Sequence, residues 1–139
     1  MEDKKQLDFG SKFGKYTVSF PNVGQFMEIQ NLRMALTNNN YPQMCLSITK
    51  EAILNLDLID AISTFAVLIP DLRKQFDIKN YQDLDMRIAK VLRDVYINEY
   101  FVWYDEIYKD IYTEKDVQDD KLLKAQTTED DRRDADKQK

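Results

Sequence analysis

Two short patterns in this chain could carry out chemistry, and the first contains a serine nucleophile. Ser47 and Lys50 in "SITK" match S-x-x-K, in which a lysine accompanies the serine hydroxyl that attacks a carbonyl carbon. The S-D-N and K-T-G elements that accompany this motif in penicillin-recognising enzymes are absent from the sequence. Because a four-residue match recurs by chance, we expect no catalytic serine here.

Paired carboxylates form the second pattern, because two acidic side chains on one helical face can serve acid/base or magnesium chemistry. Asp57 and Asp60 form one such pair, and Glu106 and Asp110 form another. The chain contains 25 acidic residues, so pairs at this spacing are expected from their density alone. The sequence therefore predicts no catalytic residue and no enzyme.

Several residue types that active sites and cofactor sites need are missing or rare. The sequence contains no histidine, which removes imidazole bases and the common zinc sites. The single cysteine, Cys45, has mostly apolar neighbours, which predicts a buried, inert thiol in a reducing compartment. Gly10, Gly14 and Gly24 form no phosphate-binding loop. We therefore expect neither a metal nor a cofactor.

Aromatic residues at a regular spacing are the strongest signal in the sequence. Five tyrosines recur every fourth residue, at Tyr96, Tyr100, Tyr104, Tyr108 and Tyr112. A helix turns about 100° per residue, so each step of four overshoots a full turn by about 40°. The tyrosines therefore form a ribbon that winds around the helix, which leaves little of its last turns polar.

Two interpretations of this ribbon remain open: the tyrosines pack within the protein, or they form a docking surface. If Val91, Val95 and Val102 mark the core side, Tyr100 and Tyr104 point about 140° and 180° away from Val95. We expect these two to contact a partner, and Tyr112 to pack internally. The full set of predicted interface residues is Tyr96, Tyr100, Trp103, Tyr104 and Tyr108 on the helix, with Val18 and Phe20 before it.

The elements that position these residues follow from periodicity and caps. "KYTVSF" alternates in polarity and predicts a strand at about 15–20, with Val18 and Phe20 on one face. Asn22 and Gln25 resemble a capping box for a helix at about 23–37. Helical spacing continues over 43–69 with a break near Asn55, and a restart at Pro70 is one expected alternative to an end before it. Asn80 is expected to cap the last helix, about 81–112.

Composition limits the remaining possibilities. At 139 residues the chain has the length of one domain, and its few glycines and prolines favour helices. A net charge of −5 disfavours nucleic acid as a partner. The charged N-terminus does not resemble a signal peptide, and no apolar stretch is long enough to span a membrane. Residues 113–139 contain nine acidic and seven basic side chains, which predicts a disordered tail.

The segment "YTVSFPNVGQFMEIQNLRMALTNNNYPQM", residues 16–44, resembles a segment of small proteins from tailed bacteriophages, especially crAss-like phages. What is similar is the strand, the helix that follows it and the Asn-rich loop before Tyr41. The resemblance implies a virion component or assembly factor of the tail or head–tail region. It implies synthesis in the host cytoplasm, with incorporation into the virion left open. It transfers no functional residue.

The sequence thus predicts a mostly helical α+β protein with a flexible arm at 1–13, a helical domain with one short strand at 14–112, and the charged tail. Because one strand cannot satisfy its own backbone groups, it must pair with another copy, a partner or an unrecognised hairpin. The expected function is a non-catalytic phage structural or assembly protein whose partners are itself or neighbouring phage proteins. The alternative is an acidic regulatory protein that inhibits a host factor and concentrates its negative charge on one face.

Overall fold

The computed structural model describes residues 3–112, which form a mostly helical protein with one small sheet. The predicted fold class is therefore confirmed. The predicted disordered tail at 113–139 lies outside the described residues. In chain order the elements are β1 Lys4–Asp8, β2 Lys15–Ser19, α1 Val23–Leu36, α2 Tyr41–Leu46, α3 Lys50–Leu68, α4 Pro70–Arg73, α5 Met86–Val95 and α6 Phe101–Ile111. A 3₁₀ turn at Tyr81–Asp83 precedes α5, and a π-helical segment, Tyr96–Tyr100, joins α5 to α6.

Within the predicted flexible arm at 1–13, the described residues from position 3 onward form a strand and a loop, so the predicted single strand has its mate within the chain. β1 and β2 pair antiparallel, with Leu7 opposite Tyr16 and Lys5 opposite Val18. Gly10 and Gly14 both have φ of 88°, a left-handed conformation that glycine adopts without strain, and they close the connecting loop. Of the three pairings left open from the sequence, the hairpin is the one that forms. Its inner face is buried within the protein.

The helix boundaries agree with the sequence where local signals decide them. Asn22 and Gln25 form the predicted capping box at the start of α1, and α4 begins at Pro70. The predicted break near Asn55 is wrong, because the chain interrupts the helix earlier and Thr49 caps α3. Asn80 makes no side-chain cap for the predicted last helix at 81–112. Asp85 instead caps α5, because its Oδ1 accepts from the Arg87 N–H at 2.7 Å.

α3 is the centre of the core, and it contacts α1, α2, α4, α5 and the π-helical segment. A helix covered on several sides must be apolar around much of its circumference, and α3 is. The hairpin also reaches it, since the Phe9 ring meets the Phe65 ring edge to face at 5.0 Å between centroids. The buried residues of α3 are Ile59, Ala61, Ile62, Ser63, Thr64, Phe65 and Ala66.

The π-helical segment explains why the predicted orientation of the tyrosines is wrong. The Phe101 N–H donates to the Tyr96 carbonyl oxygen, five residues back, so this turn holds one residue more than an α-helical turn. One extra residue turns every later side chain back by about 100° around the helix axis. Val102 would lie at about 340° from Val95 in a regular helix, on the core side, and it lies at about 240° here. Val102 is accordingly exposed, whereas Tyr100 and Trp103 are buried.

The described residues belong to two compact units, Met1–Tyr104 and Asp105–Lys139. Only residues 105–112 of the second unit are described, and they complete α6. Within them, the Tyr108 and Tyr112 rings lie 4.8 Å apart, and Lys109 Nζ lies 3.0 Å from Asp105 Oδ2. Tyr112 is 49% exposed, so the expectation that it packs internally is wrong.

Candidate binding cleft

A cleft of about 270 Å³ lies within the first unit, where α1, α2, α3 and the π-helical segment come together. α1 contributes Phe26, Ile29 and Arg33, whose spacing places them on one helical face. α3 contributes Asp60 and Thr64, one turn apart. The cleft is completed by Pro21, Tyr41, Tyr96, Tyr100, Phe101 and Tyr104.

An ion pair with an attached tyrosine forms the polar end of the cleft. Arg33 Nε lies 2.9 Å from Asp60 Oδ1, and the Tyr41 hydroxyl donates to the same oxygen at 2.6 Å. The Arg33 guanidinium also lies over the Tyr41 ring, 5.5 Å from its centroid. The Nε–H is not aligned with Oδ1, so this buried nitrogen makes no hydrogen bond with the described residues. The three side chains hold one another by charge and contact.

Burial changes the proton affinity of this group. Burial raises the pKa of Asp60, and the charge of Arg33 opposes this shift without cancelling it. Burial raises the pKa of the Tyr41 hydroxyl as well, and its hydrogen bond to Asp60 adds to the effect. Functional sites often contain side chains with shifted pKa values, such as this carboxyl and this phenol. Ion pairs that only stabilise the fold also shift pKa values.

Four aromatic rings form a continuous stack along one side of the cleft. Tyr96 stacks on Tyr100 at 5.6 Å, Tyr100 on Tyr104 at 5.8 Å, and Tyr104 on Phe20 at 5.1 Å. Phe65 of α3 meets both Tyr96 and Tyr100 edge to face. Residues four apart lie on the same side of a helix, so the spacing of the tyrosines brings neighbouring rings together.

The aromatic stack is also desolvated. Burial raises the pKa of Tyr96 to about 12 and raises the pKa of Tyr100 as well. Arg33 lies close enough to the Tyr96 hydroxyl to oppose part of this shift. Tyr96 and Tyr100 therefore form a wall of the cleft that is largely shielded from water.

The predicted interface residues mostly belong to the interior. Four of them are buried: Tyr96, Tyr100, Trp103 and Val18. Their burial agrees with the interpretation that these side chains pack within the protein and not with the interpretation that they form a docking surface. Tyr100 is only 3% exposed, so the expectation that it contacts a partner is wrong. The reason is the rotation introduced by the π-helical turn.

The other three predicted interface residues differ in their surroundings. Phe20 and Tyr104 are half-buried and stack on each other, so each ring already has a neighbour within the protein. Tyr108 is exposed and lies in the second unit. Three of the seven predicted residues, Tyr96, Tyr100 and Tyr104, line the cleft.

Sequence reasoning missed the exposed apolar residues beside the cleft. On α1, Val23, Phe26 and Met27 are 76%, 42% and 56% exposed, and Phe101 at the start of α6 is 47% exposed. We call these four residues the apolar face. Their signal in the sequence is the scarcity of charge, because α1 has only Glu28 and Arg33 as charged residues among 14.

The candidate chemical groups do not assemble in the described part of the chain. The Ser47 hydroxyl lies 3.4 Å from the Thr49 hydroxyl, and no contact joins it to Lys50. Asp57 Oδ2 lies 3.8 Å from Arg93 Nε, whereas Asp60 Oδ1 lies 2.9 Å from Arg33 Nε. The two carboxylates therefore have different partners. Residues 3–112 contain no group of three or more His, Cys, Asp or Glu side chains that could hold a metal ion.

Two other surface grooves are larger, at about 440 and 460 Å³, but carry less chemistry. The first lies beside the hairpin loop, where Asp85 and Arg87 form an exposed pair at 2.8 Å that serves the cap of α5. The second has no charged side chain among its lining residues. The smaller cleft combines a buried ion pair, perturbed hydroxyl groups and aromatic walls, so it is the better candidate site.

Comparison with protein-family models, with curated proteins and with solved structures finds no match. No helix among residues 3–112 has the length and apolar character needed to cross a membrane. The function therefore has to be inferred from the geometry of the chain itself.

Proposed function

We propose that this chain is a non-catalytic protein that acts by binding other proteins through its apolar face. The observation that carries the proposal is the exposure of Val23, Phe26, Met27 and Phe101. Phe26 and Phe101 border the same cleft, so the exposed groups on α1 and α6 are neighbours in space. Clustered apolar groups on a protein surface mark interaction sites more often than isolated ones do.

The composition of the apolar face supports a protein as the partner. Interfaces are enriched in aromatic residues and methionine and depleted of charge at their centre. Phe26, Met27 and Phe101 match that pattern, and Glu28 is the one exposed charged side chain on α1. A nucleic-acid partner is not supported, because phosphate binding needs clustered basic residues and the net charge is −5.

The resemblance of residues 16–44 supports a phage context for this role. It covers all of α1 and all but the first residue of β2, so the segment that resembles phage proteins also carries three of the four residues of the apolar face. We propose that the chain serves the assembly or structure of a phage tail or head–tail region, with itself or neighbouring phage proteins as partners. The acidic inhibitor is less well supported, because within residues 3–112 the carboxylates of Asp71, Asp85 and Asp94 each lie beside a basic side chain.

The test replaces exposed residues that do not line the cleft. Val23→Ser with Met27→Ser should abolish association while leaving the circular dichroism spectrum unchanged, because both side chains are exposed. Leu46→Ser with Ile48→Ser is the matched control, since these are apolar residues near the end of α2 that are at least as exposed as Val23 and Met27. Mass photometry and light scattering of the full chain, alone and with neighbouring phage proteins, measure the association.

Two results would contradict the proposal. One is a wild-type chain that stays monomeric and binds none of the candidate partners. The other is association that survives the Val23 and Met27 replacements or is lost equally in the control.

A further inference from the structure

We infer that the cleft binds one uncharged aromatic side chain of a partner protein and that Arg33 and Asp60 hold the backbone amide next to it. The inference rests on the proposed function and specifies what the apolar face surrounds. Hot-spot residues at interfaces are often aromatic anchors that fill a pocket with apolar contacts around it. Phe26 and Phe101, which line the cleft and remain exposed, are placed to make those surrounding contacts.

The size and walls of the cleft select a single ring. Its volume is about 270 Å³. Pockets for small-molecule ligands range from roughly 300 to 1,000 Å³, so the cleft lies just below that range. Its walls include Ile29, Pro21 and the stacked rings of Tyr96 and Tyr100. A planar aromatic group fits such walls because rings favour offset stacking and edge-to-face contacts.

The polar end of the cleft offers one acceptor and several donors. Both contacts to Asp60 end on Oδ1, so Oδ2 accepts no hydrogen bond from the described residues. The buried Nε of Arg33 makes no hydrogen bond with them, and 20% of the Arg33 side chain remains exposed. A backbone amide supplies the complement, because its N–H can donate to Asp60 and its carbonyl oxygen can accept from Arg33.

The charge of the cleft favours an uncharged occupant. Arg33 and Asp60 oppose each other at 2.9 Å, and they are the charged side chains among the lining residues. A carboxylate ligand would have to compete with Asp60 for Arg33, and an ammonium ligand would meet the guanidinium. A neutral amide satisfies both partners without separating them.

The π-helical turn gives independent support for a site here. Such turns are rare and occur frequently at functional sites. In this chain the turn spans Tyr96–Tyr100, and both end residues line the cleft. The irregular backbone is therefore located where the proposed occupant binds.

Nuclear magnetic resonance with small amide probes tests the inference on the full chain. N-acetyl-L-phenylalaninamide should shift the resonances of Thr64, Tyr96 and Phe101, and it should bind at least about tenfold more tightly than N-acetylglycinamide, since the ring is buried. Methyl 3-phenylpropanoate carries the ring but no amide N–H, so it should bind about tenfold more weakly than the phenylalaninamide probe. Anionic N-acetyl-L-phenylalanine should also bind more weakly.

A pair of neighbouring variants supplies the matched control. Phe26→Ser removes an exposed side chain that lines the cleft and should weaken the phenylalaninamide probe several-fold. Met27→Ser removes a comparably exposed side chain that does not line the cleft, so it should leave probe binding unchanged. Circular dichroism establishes that both variants are folded.

Four results would overturn the inference: no binding of the phenylalaninamide probe, equal binding of the glycinamide probe, tighter binding of the anion, or shifts confined to the larger grooves. The association assay separates the two proposals. If the probe does not bind but the Val23 and Met27 replacements still abolish association, the cleft assignment fails and the proposed function stands.

Discussion

Replacing Tyr100 by alanine should destabilise the protein strongly, because this ring is central to the aromatic stack. It is 3% exposed and touches four other rings, those of Phe65, Tyr96, Trp103 and Tyr104, at centroid distances of 5.6 to 6.0 Å. An aromatic side chain buries roughly 150–250 Å², which at about 25 cal/mol/Å² corresponds to about 4–6 kcal/mol of burial. Truncations of buried aromatic residues cost about 3–5 kcal/mol, so we expect about 4 kcal/mol.

Two further variants show whether packing is the cause. Tyr100→Phe keeps the ring and removes a hydroxyl that makes no hydrogen bond with the described residues, so it should change stability by less than about 1 kcal/mol. Tyr112→Ala truncates a tyrosine that is 49% exposed and should also cost no more than about 1 kcal/mol. Urea unfolding followed by far-ultraviolet circular dichroism measures all three.

The reasoning is refuted if Tyr100→Ala is no more destabilising than Tyr112→Ala. That result would mean that the ring at position 100 does not pack as the structure shows, and the docking interpretation of the tyrosines would return. A loss of about 4 kcal/mol should lower the melting temperature by more than about 15 °C in a domain of this size.

Three more predictions follow from individual groups. The Ser63 hydroxyl is buried without a hydrogen-bond partner among the described residues, so Ser63→Ala should stabilise the protein by about 1 kcal/mol in the same urea assay; a loss of stability would reveal a partner. Burial raises the pKa of Tyr96 to about 12, so the unfolded chain loses its proton first, and stability should be constant below about pH 10 and fall as pH rises toward 12. Unfolding series between pH 8 and pH 12 measure this, and a flat profile contradicts it. Cys45 is exposed, contrary to the buried thiol expected from its neighbours, so it should react with a thiol reagent as fast in the native as in the unfolded protein; slow native labelling would contradict that exposure.

The apolar face and the cleft can be tested separately because different residues carry them. Val23 and Met27 are exposed and do not line the cleft, whereas Ile29, Thr64 and Tyr100 line the cleft and are buried. Surface replacements of the first group should leave stability within about 0.5 kcal/mol. Replacements in the second group combine an effect on the site with an effect on the fold, so they cannot test binding alone.

Local signals in the sequence determined the parts of the fold that short-range interactions control. The capping box of Asn22 and Gln25 starts α1 because it satisfies two backbone N–H groups within one turn. The alternation in "KYTVSF" predicts β2, and Pro70 starts α4 because its fixed φ suits a first helical turn. Each of these depends on neighbours a few residues away, which is the range that a sequence pattern records.

The tertiary structure alone decided which faces these elements present. β1 has few apolar residues and forms because β2 supplies hydrogen bonds and the core covers Leu7. The π-helical turn rotates everything after Tyr100 by about 100°, and an analysis that assumes regular turns assigns the wrong side chains to the core. The cleft joins Arg33 to Asp60 across 27 positions of sequence, and the apolar face joins α1 to α6. Such contacts depend on how whole elements pack, because burial is decided by the combined surface of distant segments and not by the spacing within one of them.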